Sequence, residues 1–152
     1  MDRAAFIDLI QRYEYLTFLI HKRAEFIISK EISENVTYDQ HFVLRYIMQN
    51  ENCTPTDLAK QFYVQKGAVT AIINRLADKG YVRRERDTKD RRVIYLHLTD
   101  KGIHFYEESL KKIHDNFASL MAHFTDQEIE TFIQTYEKLA TALKTAVESM
   151  GD

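Results

Sequence analysis

Residues 54–102, TPTDLAKQFYVQKGAVTAIINRLADKGYVRRERDTKDRRVIYLHLTDKG, limit what this chain can fold into more than any other stretch. Thr54 has the chemistry of a helix N-cap, Pro55 occupies the first helical position, and Asp57 puts an acid in the first turn. A short helix over 54–62 follows. After a brief turn, Val69, Ile72, Ile73 and Leu76 recur at i, i+3, i+4 and i+7, the apolar stripe of a second helix over 65–79 that Gly80 closes. Two strand-like segments, 81–86 and 93–98, then flank a charged turn at 87–92.

Helix, turn, helix and basic hairpin in that order describe a winged helix-turn-helix. Opposite its apolar stripe the second helix carries Lys66, Gly67, Thr70, Ala71 and Asn74, with Arg75 at the margin. This face is small, polar and basic, and a helix of that kind can lie in the major groove of DNA with its N-terminal residues toward the base edges. An ordinary amphipathic surface helix shows the same pattern, so the hairpin behind it carries the distinction.

That hairpin reads Asp87-Thr88-Lys89-Asp90-Arg91-Arg92, then a strand, then Leu98-Thr99-Asp100-Lys101-Gly102. The run resembles the wing signature of the MarR family of bacterial transcriptional regulators, a D-x-x-D-x-R turn followed by a strand and L-T-x-x-G. Leu76 to Val82 is similar to the family's link into the wing. The resemblance implies a mainly α fold with a small β-hairpin wing, a winged helix-turn-helix with N- and C-terminal dimerisation helices. It implies one domain over 1–152, with 35–102 as the DNA-binding lobe and 1–34 and 103–152 as dimerisation helices.

The net charge of −2 looks unsuited to DNA until it is divided. From Lys60 to Lys101 there are eleven Lys/Arg against five Asp/Glu, a balance of +6, and the remainder holds ten against eighteen, a balance of −8. Such asymmetry focuses nucleic acid on one region and repels it from the rest. One cysteine excludes an intrachain disulfide, and no apolar run is long enough for a bilayer span or a signal peptide. A cytoplasmic protein without membrane association is expected.

Outside the lobe the pattern is helical. Residues 3–30 carry an apolar band from Phe6 to Ile27 that is wider than one core face needs. Residues 36–50 form a helix with Phe42, Val43, Tyr46 and Ile47 inward. In the returning strand Ile94, Leu96 and Leu98 are expected inward, with Val93, Tyr95 and His97 outward. A long helix starts at Thr99, and Thr125-Asp126-Gln127-Glu128 is a capping box opening the last one. The terminal helices hold more apolar surface than so small a lobe can cover, and a homodimer with interleaved helices accounts for it.

Catalysis finds no foothold, since there is neither a phosphate-cradling glycine loop nor a glycine-flanked nucleophile elbow. No cofactor is expected. Cys53 reads as a structural thiol; family members that sense peroxide carry their cysteine in the first helix, which here has none. His21, Glu25 and His41, with His104 or His114, have the chemistry of nitrogen-and-oxygen metal ligands. Zinc-sensing relatives use a histidine near His41, but their fifth-helix cluster does not line up and Ser109 stands near its start, so no metal is assigned. Family effectors bind where the dimer helices meet the lobe. There Tyr13, His21, Tyr38, His41, Phe42 and Tyr46 would supply aromatic walls and polar handles for a small-molecule effector.

The expected function is a homodimeric, ligand-responsive repressor of double-stranded DNA, not an enzyme; a winged-helix module for protein interaction and a metal-sensing family member are the alternatives. Gln65, Lys66, Thr70, Asn74 and Arg75 are expected to meet bases or phosphates from the recognition helix. In the wing the resemblance gives Asp90 the task of holding Arg92 for the minor groove, with Lys89 and Arg91 along phosphates and Arg84 and Arg86 in support.

Overall fold

The computed structural model describes residues 2–32 and 36–150, so the expected junction between residues 34 and 35 lies outside the described residues. Its elements in chain order are α1 (Arg3–Glu31), α2 (Tyr38–Gln49), α3 (Pro55–Phe62), α4 (Lys66–Asp78), β1 (Val82–Arg86), β2 (Ile94–Leu98), α5 (Asp100–Met121) and α6 (Asp126–Met150). They divide into two compact units, Met1–Ile113 and His114–Asp152.

In the first unit, local caps set the helix starts. Thr54 accepts from the Asp57 backbone N–H at 3.2 Å, and the Asp57 carboxylate accepts from the Thr54 N–H at 2.9 Å, a reciprocal box that satisfies two otherwise orphaned donors. The Thr54 hydroxyl, donating to the same carboxylate at 2.7 Å, and then the Thr54 N–H hold the Asp57 carboxyl below its usual range. Tyr63 ends α3 in the left-handed conformation (φ 51°), and Gly80 does the same after α4 (φ 74°). The core joins Val43, Leu44 and Ile47 of α2 to Leu58, Val69, Ile73, Leu76, Val82, Leu96 and Tyr106. Leu44 is wholly buried although it is not among the residues expected inward from α2. It shares the helix face of Val43 and Ile47, while Phe42 and Tyr46 flank that face half-buried.

β1 and β2 are antiparallel, with Val82 opposite Leu98, Arg84 opposite Leu96 and Arg86 opposite Ile94. The expected outward set in β2 needs correction: Val93, Tyr95 and His97 are half-buried, as are Ile94 and Leu98, and Leu96 alone is fully enclosed. The reason lies at the strand's far edge, where the Leu96 N–H donates to the Cys53 carbonyl at 2.8 Å and brings the α2–α3 connection alongside. The wing's root is bonded to the end of α4. Thr99 Oγ1 donates to the Gly80 carbonyl at 2.6 Å and accepts from the Gly102 N–H at 3.0 Å.

In the second unit α6 starts from Thr125 and Glu128 in the expected box, the Thr125 N–H reaching the carboxylate at 2.8 Å. α6 buries none of its residues and displays Phe132, Ile133, Tyr136, Leu143 and Val147. In the first unit α1 buries Ile28 alone and displays Phe6, Leu9, Leu16, Phe18, Ile20 and Phe26. Among the described residues no helix is long and apolar enough to cross a membrane.

Candidate nucleic-acid interface

The recognition helix α4 presents two unlike faces. Val69, Ile73 and Leu76 are buried, while Lys66, Gly67, Thr70, Ala71, Asn74 and Arg75 are exposed. Gln65 is its N-cap but makes no side-chain cap bond, and it is exposed beside the helix's first turn. Thr70 Oγ1 donates back to the Lys66 carbonyl at 2.9 Å, which leaves that oxygen as an acceptor.

The two faces of β1 differ in charge. Arg83 is paired with Glu85, which also lies 3.7 Å from His97 Nε2, and the arginine lowers the Glu85 pKa. Arg84 and Arg86, on the alternate positions, border a notch with Pro55, Thr70, Ile73, Asn74 and Ile94. There a guanidinium N–H of Arg84 donates to Asn74 Oδ1, joining the wing strand to the recognition helix.

The turn is self-braced. Asp87 Oδ1 accepts from the backbone N–H of Lys89 at 2.7 Å and of Asp90 at 2.6 Å. Asp90 in turn grips Arg92 through both side-chain oxygens, Nε to Oδ1 at 3.0 Å and Nη2 to Oδ2 at 2.9 Å, and takes the Arg92 backbone N–H at 3.1 Å. The Arg92 bonds depress the Asp90 pKa, and Asp90 raises that of Arg92. Such a forked pair fixes the guanidinium's plane, and its far edge stays in solvent with the Arg92 side chain 90% exposed. Lys89 and Arg91 flank it, both exposed.

The MarR family model matches residues 36–94, the segment that holds α2 to the start of β2. The HTH-type transcriptional regulator BilQ of Clostridioides difficile (strain CD3) is 31% identical over 145 residues, 90% of this chain and 95% of that protein. The chain belongs to the MarR family. The HTH-type transcriptional repressor MdtR of Bacillus subtilis (strain 168) is 34% identical over 112 residues, covering 74% of this chain and 72% of its own. Among solved structures, a mutant MarR from E. coli complexed with operator DNA superposes with a TM-score of 0.75 at 26% identity, covering 91% of this chain and 99% of that one. The chain is thus a MarR-family transcriptional regulator with the family's winged helix-turn-helix.

In this MarR-family chain, four of the six residues expected to form an effector site are gathered. His21 meets Tyr38 edge-on at 5.3 Å, Tyr38 lies 4.8 Å from Phe42, and His41 is 5.6 Å from Phe42. Tyr46 is not in the row: it packs on Phe62 at 5.9 Å, on the α3 side. Tyr13 lies about two turns before His21 on α1, too far along the helix to join the row. The sequence reading missed Tyr106, which stacks on His41 at 5.5 Å. Its only signal is a place in the apolar stripe of α5, which reads as core. His41 is buried, its Nδ1 has no hydrogen-bond partner among the described residues, and burial, with Arg45 second, pushes its pKa down to about 4.

A second concavity, also absent from the sequence reading, lies between the last turns of α1, the start of α2 and the end of α4. Lys22, Glu25, Lys30, Gln40, Arg75 and Lys79 line it, so Arg75 faces both this cleft and the exposed side of α4. Of the residues weighed for metal, Glu25 pairs with Lys22 at 2.9 Å and His104 lies 3.5 Å from Glu108. Among the described residues no group of three such side chains could hold a metal ion. Cys53 is buried, and its thiol is pushed up to about 12 by burial and then by Asp57, so it is inert as a thiolate nucleophile near neutral pH.

Proposed function

We propose that this regulator is a homodimeric repressor that occupies a pseudo-palindromic operator in the cytoplasm, without a catalytic step, and leaves it when a small molecule binds. The observation that carries the reading is the continuous surface formed by the exposed face of α4 and the Arg84–Arg86 side of the wing, joined by the Arg84–Asn74 bond. Gln65, Lys66, Thr70, Asn74 and Arg75 face the major groove, Lys89 and Arg91 follow phosphates, and Arg92 enters the minor groove, whose narrow segments concentrate negative potential. Half-sites lie about 10 base pairs apart or a multiple of it. The likeness to a MarR mutant complexed with operator DNA supports this reading.

Release follows if an effector favours a dimer whose two lobes are wrongly spaced for DNA. The aromatic row of His21, Tyr38, His41 and Phe42, closed by Tyr106, is the place for it, an apolar wall with few polar handles. A mobility-shift titration against the DNA upstream of the protein's own gene tests the first step. A discrete complex resistant to excess nonspecific DNA is expected; binding equal to that of unrelated DNA would overturn the operator reading.

A further inference from the structure

Among the polar side chains on the exposed face of α4, Asn74 is bonded to the wing. To read an adenine, an asparagine must accept from N6 through Oδ1 and donate to N7 through Nδ2 at once. Here Oδ1 is already held by the guanidinium of Arg84. That bond is charge-assisted, the stronger class, and it takes one of the oxygen's two lone pairs and ties the amide to the wing, so an adenine contact would have to accept the amide plane that Arg84 sets. The partner is better suited to DNA. Arg84 projects from β1 into the notch between helix and wing, beside Arg86 two positions along the same strand face. With one N–H given to Asn74, the guanidinium keeps four donors and its whole charge.

We infer that Asn74 is a positioning residue that holds Arg84 as a phosphate clamp at the junction of recognition helix and wing, and that it does not read a base. The inference rests on the DNA-binding reading above and deepens it. A donor-only cation fits the phosphodiester oxygens, and a neutral amide acceptor fixes the arginine without placing a negative charge beside the phosphate. The opposite face of β1 shows that contrast, since Arg83 there is neutralised by Glu85. Bracing removes rotamer freedom before DNA arrives, so less is lost on binding.

The test is a double-mutant cycle with Asn74→Ala, Arg84→Ala and the double variant. Each is checked for an unchanged melting curve and titrated against operator and against operators altered one base pair at a time. Asn74→Ala and Arg84→Ala should each weaken binding by roughly fivefold to tenfold, equally across all the altered sites. The double variant should be no weaker than Arg84→Ala alone, because the two residues act as one unit. The slope of log affinity against log salt should fall by about one in Arg84→Ala and in the double variant, and by less in Asn74→Ala, which keeps the cation. Additive losses, or a loss in Asn74→Ala confined to one base pair, would show that Asn74 contacts DNA itself and overturn the inference while leaving DNA binding intact. Failure of the unaltered protein to select operator would instead remove the DNA reading, and this inference with it.

Discussion

A methyl group added at Gly67 would meet nothing within 4 Å, whereas one added at Gly102 would lie 2.1 Å from the Tyr81 carbonyl oxygen. The second glycine is required by the packing of α5 against the wing's root. The first has no internal reason, and glycine in a helix is less stable than alanine by roughly 0.5–1 kcal/mol. Bareness at Gly67 therefore suits the approach of a partner's surface. Gly67→Ala should raise thermal stability by an amount of that order and weaken operator binding, while Gly102→Ala should destabilise by about 1–3 kcal/mol or more; melting curves and a DNA titration read both. His41 supplies a pH test. Its folded value of about 4 lies below the ordinary 6.5, so the unfolded chain takes the proton more readily. The stability contributed by neutral His41 is complete above about pH 6.5 and is lost as pH falls toward 4, on the order of 3 kcal/mol in all. Denaturant titrations at pH 7 and pH 4.5 should show a larger drop for the native sequence than for His41→Phe; equal drops would refute it. The sequence made the caps at Thr54 and Thr125 legible because each is settled within four residues. It could not expose the orphaned nitrogen of His41, whose setting depends on Tyr106 arriving from a distant helix.

At the level of elements, the wing repays the closest look. The family resemblance marks its tip, where Asp87, Asp90 and Arg92 are bonded at separations of two and three. Which arginine of β1 meets α4 does not follow from the sequence pattern, because the Arg84–Asn74 bond spans ten positions and depends on how the strand lies against α4. The tip carries its own prediction. Arg92→Ala should leave fold and assembly unchanged, weaken operator binding and flatten its salt dependence, fewer counterions being released. Asp90→Ala should weaken binding too, although it removes a negative charge, since a loose arginine loses more conformational freedom on docking. Charge counting gives the opposite sign. Tighter operator binding by Asp90→Ala in a moderate-salt titration would reject the braced-arginine account.

For the whole molecule, the division of charge was legible from composition along the chain, and so was the surplus of apolar surface on the terminal helices. The described residues show that surplus on α1 and α6, where Phe6, Leu9, Phe132 and Leu143 are all about half exposed. What covers it is a matter of assembly, which a single chain's pattern cannot display. Light scattering at micromolar concentration should give about twice the 18.0 kDa chain mass. A clean monomer under those conditions would sink the interleaved dimer. α6 has a further consequence. A helix with no fully buried residue gains little from burial within its own chain, and isolated helices are marginal in water. On the dimer reading, each newly made chain would carry in α6 a segment open to proteolysis until it met a second copy. Scarce chains would be cleared before they pair and abundant ones would persist, so the regulator's lifetime in the cell would rise with its own abundance.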